Sequence, residues 1–229
     1  MITYDGNTKC FILCGKTYEY LMYADAAGIL QQLYYGKKLK RGDENFLIRE
    51  HGFRAEPDPA DINRDMTSGN TPSEIGSFGR GDYRQATVIA RRADGSAMSG
   101  FRYVSHKIVE GAAKPCGLPG VRNADETLIV TVKDEFSELA VDLYYIVSDD
   151  SDVLVRYLTI KNCGTEAVML ERAYSFCLDL PDTGRFYSTC LAGDWASERT
   201  PVTAPIENGT TRIESTRGYS SHQMNPFLM

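Results

Sequence analysis

The sequence predicts a mainly β protein, a large antiparallel β-sandwich with few or no long helices, on three grounds. Apolar residues alternate with a period of two over long stretches, turn-forming Gly, Asn and Asp stand between them, and apolar residues at helical spacing are nowhere sustained. An α/β architecture with alternating long helices, a parallel nucleotide-binding sheet included, is thereby disfavoured.

In chain order, Cys10 and Cys14 share the first clear apolar strand, where a spacing of four separates their Cα atoms by roughly 13 Å, beyond disulfide reach. The basic run Lys37-Lys38-Leu39-Lys40-Arg41 follows an apolar strand and reads as its solvated end. From Gly42 to Gly81 the alternation stops, and Pro57, Pro59 and Pro72 with several Gly, Asn, Asp and Ser predict a long loop. An oligomer contact, a ligand lid and plain disorder stand as equal readings of it. A strand follows over Phe101 to Ile108, in which His106 reads as a hydrogen-bonded sheet histidine.

Asp134 to Ala140 is the best short helical candidate. Leu139, Val141, Leu143, Tyr145 and Val147 then form one apolar strand face, with Ala140, Tyr144 and Ile146 on the other, as befits a strand between two layers. Val153, Val155, Tyr157 and Thr159 alternate with Leu154, Arg156, Leu158 and Ile160. Val168, Leu170, Tyr174, Phe176 and Leu178 share a last face, which also holds Arg172. Asp94-Gly95, Asn162-Cys163-Gly164 and Asn208-Gly209 are turns of the kind that close antiparallel hairpins, so neighbouring strands should pair. Strands of ten or so residues imply two broad sheets packed face to face, one domain spanning residues 1–229 with the 42–81 loop inside it.

Composition narrows the function classes. With 25 basic and 31 acidic residues the formal net charge is −6, which disfavours nucleic acid as a partner. No apolar run approaches the roughly 18 residues of a membrane span, and Met1-Ile2-Thr3-Tyr4-Asp5 lacks a secretory pattern, so a cytoplasmic protein is expected. The six cysteines (Cys10, Cys14, Cys116, Cys163, Cys177, Cys190) contain no C-x-x-C pair and read as reduced, mostly buried thiols. His51, His106 and His222 lie at no metal-like spacing from another His or Cys, so no metal site and no cofactor is expected. Phosphate-cradling motifs are absent as well; the nearest approach, Gly76-Ser77-Phe78-Gly79-Arg80-Gly81, does not link a strand to a helix. The acidic clusters Asp149, Asp150, Asp152 and Asp179, Asp182 fall where strands reverse, and turn chemistry accounts for them.

Several phrases, in order along nearly the whole chain, carry a family resemblance. They are Leu33-Tyr34-Tyr35-Gly36-Lys37, Gly79-Arg80-Gly81-Asp82-Tyr83-Arg84, Asp94-Gly95-Ser96, Phe101-Arg102-Tyr103-Val104-Ser105-His106, Gly117-Leu118-Pro119 and Glu126-Thr127-Leu128. Arg172-Ala173, Leu178-Asp179-Leu180-Pro181, Gly193-Asp194-Trp195-Ala196-Ser197-Glu198-Arg199 and the run from Arg217 to Phe227 complete the set. The chain thereby resembles the N-terminal region of glycoside hydrolase family 36, whose members are mainly α-galactosidases.

The resemblance implies an N-terminal β-supersandwich that precedes a catalytic (β/α)8 barrel. It also implies a retaining mechanism whose two carboxylates, about 5 Å apart, lie on barrel strands beyond Met229. These residues by themselves are then expected to be inactive, with no catalytic residue among them. The sandwich would pack on its own barrel and hold a homo-oligomer together, with the 42–81 loop reaching toward a neighbour's pocket for α-galactoside sugars. Asn63, Arg64 and Asp65 are the loop's candidates for hydrogen bonds to galactose hydroxyls. Trp195 either stacks on a sugar or anchors two domains. Glu198, Arg199, His222 and Asn225 are assigned to the domain interface. Asp82 and Arg84 read as scaffold on one strand face, paired with each other or satisfying loop backbone. A stand-alone carbohydrate-binding module and a purely structural assembly domain remain the alternative readings.

Overall fold

The computed structural model describes residues 1–40, 44–48, 71–79, 81–115, 117–180, 184–218 and 223–229. Its strands in chain order are β1 (Ile2–Asp5), β2 (Cys10–Cys14), β3 (Tyr18–Ala24), β4 (Leu30–Lys37), β5 (Val88–Arg91), β6 (Phe101–Glu110), β7 (Glu126–Asp134), β8 (Leu139–Val147), β9 (Val155–Asn162), β10 (Met169–Ala173), β11 (Tyr187–Asp194), β12 (Ser197–Pro205) and β13 (Met224–Leu228). One 3-10 turn, Glu44–Leu47, is the sole helical element among the described residues. The chain divides into two compact units, Met1–Asp179 and Leu180–Met229.

The first unit is a sandwich. Two four-stranded antiparallel sheets, β1-β2-β3-β4 and β6-β7-β8-β9, face each other, and a short β10-β5 ladder completes it. The core between the sheets joins Phe11, Leu13, Tyr20 and Met22 of the first to Leu128, Val130, Val132, Val141, Leu143, Tyr145 and Val147 of the second. Each such burial contributes about 1.5–3 kcal/mol of hydrophobic free energy, and the alternation seen in the sequence of β8 is what points these side chains inward. β9 follows the same rule, with Leu158 and Ile160 packed on that core and Leu154 beside them.

The central strands of the first sheet, β2 and β3, are buried on both faces. Behind them Cys10, Ile12, Cys14, Leu21 and Tyr23 form a second apolar cluster, covered by Leu33, Tyr34, Leu47 and Ile48. This is why β2 and β3 read as continuous apolar runs where a half-exposed strand would alternate. Cys10 and Cys14 are buried at the two ends of β2, and the described cysteines carry thiols and no disulfide; with Cys163 exposed and Cys177 and Cys190 half-buried, the expectation of mostly buried thiols holds for two of the five.

Neighbouring strands pair within each sheet, but the three Gly-bearing turns singled out in the sequence do not close those pairs. Asp94-Gly95 links β5 to β6, and Asn162-Cys163-Gly164 links β9 to β10, strands that belong to different sheets. Asn208-Gly209 lies between β12 and β13, which both pair with β11 and not with each other. Residues tolerant of positive φ, such as Gly95 at 84°, mark a change of direction and carry no information about which ladder the chain joins next.

Asp134 to Ala140 is a hairpin connection rather than a helical turn. The Asp134 carboxylate ends β7 by accepting bonds from the Gly100 amide at 2.7 Å, the Phe136 amide at 3.4 Å and the Ser137 hydroxyl. The last apolar run also departs from expectation. Only Met169–Ala173 is strand, its register shifts between Leu170 and Arg172, and Leu170, Tyr174, Phe176 and Leu178 are exposed. Within the 42–81 stretch, Ser73 bridges to Gln31 of β4, the Gln32 amide donates to Pro72 O at 3.1 Å and the Glu74 amide to Leu30 O at 3.0 Å.

The second unit is a three-stranded antiparallel sheet, ordered β12-β11-β13. β12 is exposed along its whole length. No described helix is long and apolar enough to cross a membrane.

Candidate functional site

The β11–β12 hairpin displays the chain's only tryptophan. Asp194 pairs with Ser197, which leaves Trp195 and Ala196 as a two-residue tip. Ala196 (φ 62°) and Arg199 (φ 60°) occupy the left-handed region, where an L-residue is held only by its surroundings. Those surroundings are local: the Trp195 amide donates to Asp194 Oδ1 at 2.8 Å and the Ala196 amide to Glu198 Oε1 at 3.3 Å. At Gly193 a β-carbon would collide with the Ser197 carbonyl and sit 2.8 Å from the Glu198 Cα, so the register shift between Ala192 and Asp194 requires glycine there. The indole that results is 83% exposed.

Of the residues nominated from sequence, Trp195, Glu198 and Arg199 are thus brought together at this tip, with Glu198 engaged by the tip's own backbone. Asn225 lies on β13, which borders the same end of β11 through the Ala192–Met224 pairing; its Nδ2 is buried and has no hydrogen-bond partner among the described residues. Asn63, Arg64, Asp65 and His222 lie outside the described residues. His106 is the sheet histidine expected: Tyr103 Oη lies 2.7 Å from its Nδ1, its ring packs on Tyr4 and Phe11, and burial lowers its pKa.

A second polar constellation, in the first unit, escaped the sequence reading. Glu74 is fully buried, and its carboxylate pairs with Arg156 of β9 at 2.8 Å. It also accepts the hydroxyls of Tyr20 and, at 2.7 Å, of Tyr145. Arg156 donates onward to the Cys177 carbonyl at 2.9 Å and lies 4.7 Å over the Tyr145 ring. Burial, with Glu74 beside them, drives the pKa of both tyrosines far up, and burial pushes the Cys177 thiol up to about 11. The signal in the sequence was Arg156 at an inward position between Leu154 and Leu158, a charge on an apolar face that demands a partner.

Next to it Arg84 pairs with Asp82 at 2.9 Å and with Asp179. Asp82 also accepts the Ser77 and Arg84 amides, both at 3.1 Å, so the scaffold reading of this pair is right about contacts; the segment itself is loop, not strand. Asp179 takes part in this ion pair, and Asp149 binds the Met1 ammonium, so turn chemistry alone does not account for them. Asp152 accepts the Thr17 amide at 2.6 Å and hydroxyl at 2.8 Å.

Asp5, Asp94, Asp152 and Glu171 are displaced below the usual carboxylate range, chiefly by hydrogen bonds from the Asn7 amide, the Ser96 hydroxyl, the Thr17 amide and the Arg91 guanidinium. A proton donor requires displacement the other way. No group of three or more His, Cys, Asp or Glu capable of holding a metal occurs among the described residues.

Comparison with known proteins fixes the family. The profile described as "Glycosyl hydrolase family 36 N-terminal domain" matches residues 28–229. The chain belongs to this family. It is 35% identical over its whole length to the bifunctional alpha-galactosidase/sucrose kinase AgaSK of Mediterraneibacter gnavus and covers 25% of that protein. With alpha-galactosidase Mel36A of Lactobacillus acidophilus the identity is again 35%, over all of this chain and 32% of the relative. Among solved structures, the alpha-galactosidase AgaB of Geobacillus stearothermophilus superposes with a TM-score of 0.89 at 32% identity, covering all of this chain and 31% of that one. A doubly substituted alpha-galactosidase AgaA of the same organism, solved in complex with raffinose, gives 0.86 at 30% identity, over 96% of this chain and 31% of its own. The chain therefore spans a quarter to a third of the length of these relatives. The family phrases Gly79 to Arg84 and Leu178-Asp179 contain the members of the Arg84 ion-pair cluster, and Gly193 to Arg199 forms the hairpin tip.

Proposed function

We propose that this chain is the non-catalytic N-terminal domain of an α-galactosidase that removes terminal α-galactosyl groups with retention of configuration. The observation that carries the proposal is the end-to-end match of the chain to one stretch of α-galactosidases three to four times its length. Residues 1–229 act as one domain, with 42–81 as a loop within it, and the nucleophile and acid/base carboxylates belong to a barrel outside them. The domain supports that barrel and the assembly of a cytoplasmic homo-oligomer. Trp195 faces a sugar or a domain boundary, Glu198, Arg199, His222 and Asn225 belong to the domain interface, and Asn63, Arg64 and Asp65 reach substrate. The exposed indole on a backbone-stiffened tip supports the role given to Trp195.

The complete reading frame should release nitrophenol from a nitrophenyl α-galactoside, with the α-anomer as first product by NMR. The 229-residue chain should give no more than a heat-killed control. Turnover by the chain alone would overturn the proposal, and binding of galactosides by the chain alone would favour a carbohydrate-binding module.

A further inference from the structure

The two polar constellations of the first unit share a backbone. Ser73 and Glu74 are adjacent, and so nearly are Cys177 and Asp179. Glu74 pairs with Arg156, which grips the Cys177 carbonyl; Asp179 pairs with Arg84 and accepts the Ser73 amide at 3.2 Å. The Asp179 amide in turn donates to Gln32 Oε1 at 3.1 Å. Further along the same two segments, the Gly76 amide donates to Thr87 Oγ1 at 2.8 Å and the Tyr174 amide to Thr87 O at 2.9 Å. Two loop stretches, 71–79 with 81–84 and 174–179, are thus bound to β3, β4, β8 and β9 and to each other through two ion pairs.

A buried ion pair contributes little net stability, because desolvating both charges costs about as much as their attraction returns. What it does supply is uniqueness: Glu74, fully buried, has its oxygens satisfied only with Arg156, Tyr20 and Tyr145 all in place. We propose that the Glu74–Arg156 and Arg84–Asp179 pairs are one clasp, which fastens the stretches around Ser73–Gly76 and Asp82–Arg84 and the segment 174–179 to the sandwich as a single cooperative block. Neither segment opens without the other, and the chain leaves the first unit at Asp179 from a fixed point.

Amide hydrogen exchange on the 229-residue chain, unmodified and as Arg156→Met and Arg84→Met, tests this. In Arg156→Met the amides of Ser73, Thr87 and Asp179, none of them a partner of Arg156, should exchange at least about tenfold faster, while β7 and β8 keep their protection. In Arg84→Met the amides of Glu74 and Tyr174, which Arg84 does not touch, should do the same. The double variant should exceed the larger single effect by less than about twofold, since a clasp already open opens no further. Acceleration confined to each variant's own neighbours, or effects that multiply in the double variant, would overturn the proposal. Should Arg156→Met fail to fold, the Arg84→Met result decides alone, because that side chain is partly exposed and its remote amides are named in advance.

Discussion

The first unit places an apolar sheet between two apolar layers; the second presents a sheet whose β12 is open along its full length. Both are antiparallel, so the pairing pattern does not distinguish them. The difference lies in what covers them. Between its two four-stranded sheets the first unit supplies its own cover, although Met169, Leu170, Tyr174 and Phe176 stay exposed beside them, whereas in residues 180–229 Tyr187, Trp195, Val202, Ile206, Phe227 and Leu228 remain largely exposed. The stability of the first unit is therefore set by its own core, and the behaviour of the second by what it meets.

The largest test of that contrast is truncation on either side of it. Leu143→Ala, in the core between the sheets, should lower unfolding free energy by about 2–5 kcal/mol, while Val202→Ala should change it by less than about 0.5 kcal/mol. Urea titration measures both, and equal effects would erase the contrast between the two units. A smaller effect concerns the tip: in the 229-residue chain Trp195 fluorescence should be quenched by iodide almost as readily as a free indole, and in the complete reading frame it should be protected. Full quenching in both would remove Trp195 from any domain boundary.

The smallest effect is electrostatic. On the outer face of the second sheet Asp142 accepts Lys161 Nζ and Thr131 Oγ1, both at 2.7 Å. Burial opposes its charge, but these bonds prevail and hold its pKa below the ordinary carboxylate value. A depressed folded pKa contributes stability above the unfolded value of about 3.9 and loses it as the pH falls through the lower folded value. With Lys161 largely exposed, the contribution should stay below about 1 kcal/mol. Asp142→Asn should lose that much at neutral pH and show a correspondingly shallower fall in stability below pH ~4, as followed by circular dichroism.

How far sequence reached varies by residue for physical reasons. β8 was legible because Val141, Leu143, Tyr145 and Val147 all obey one local rule. β2 and β3 were less so, since a strand buried on both faces does not alternate. The fold class followed from such runs, but the sheet to which each strand belongs did not, because pairing is decided by packing across layers and not by the turn between. Arg156 announced a buried charge; its partner lies 82 residues away in Glu74, in a stretch with no periodicity to place it. At the hairpin tip Trp195, Glu198 and Arg199 were found through family phrases, whereas the glycine that shapes the tip was not singled out, since its constraint is a steric contact with residues four and five positions on.

The placement of the reversals has a consequence for how this sequence tolerates changes of length. Asp94-Gly95 and Asn162-Cys163-Gly164 sit where the chain passes from one sheet to another, so added residues there would lengthen a crossing and leave every ladder in step. The connection between β7 and β8 is different in kind. One residue inserted within 135–138 that slipped the β7–β8 register by one would invert the alternation of β8 and turn Leu143 and Tyr145 away from the core, a cost that a longer crossing does not carry.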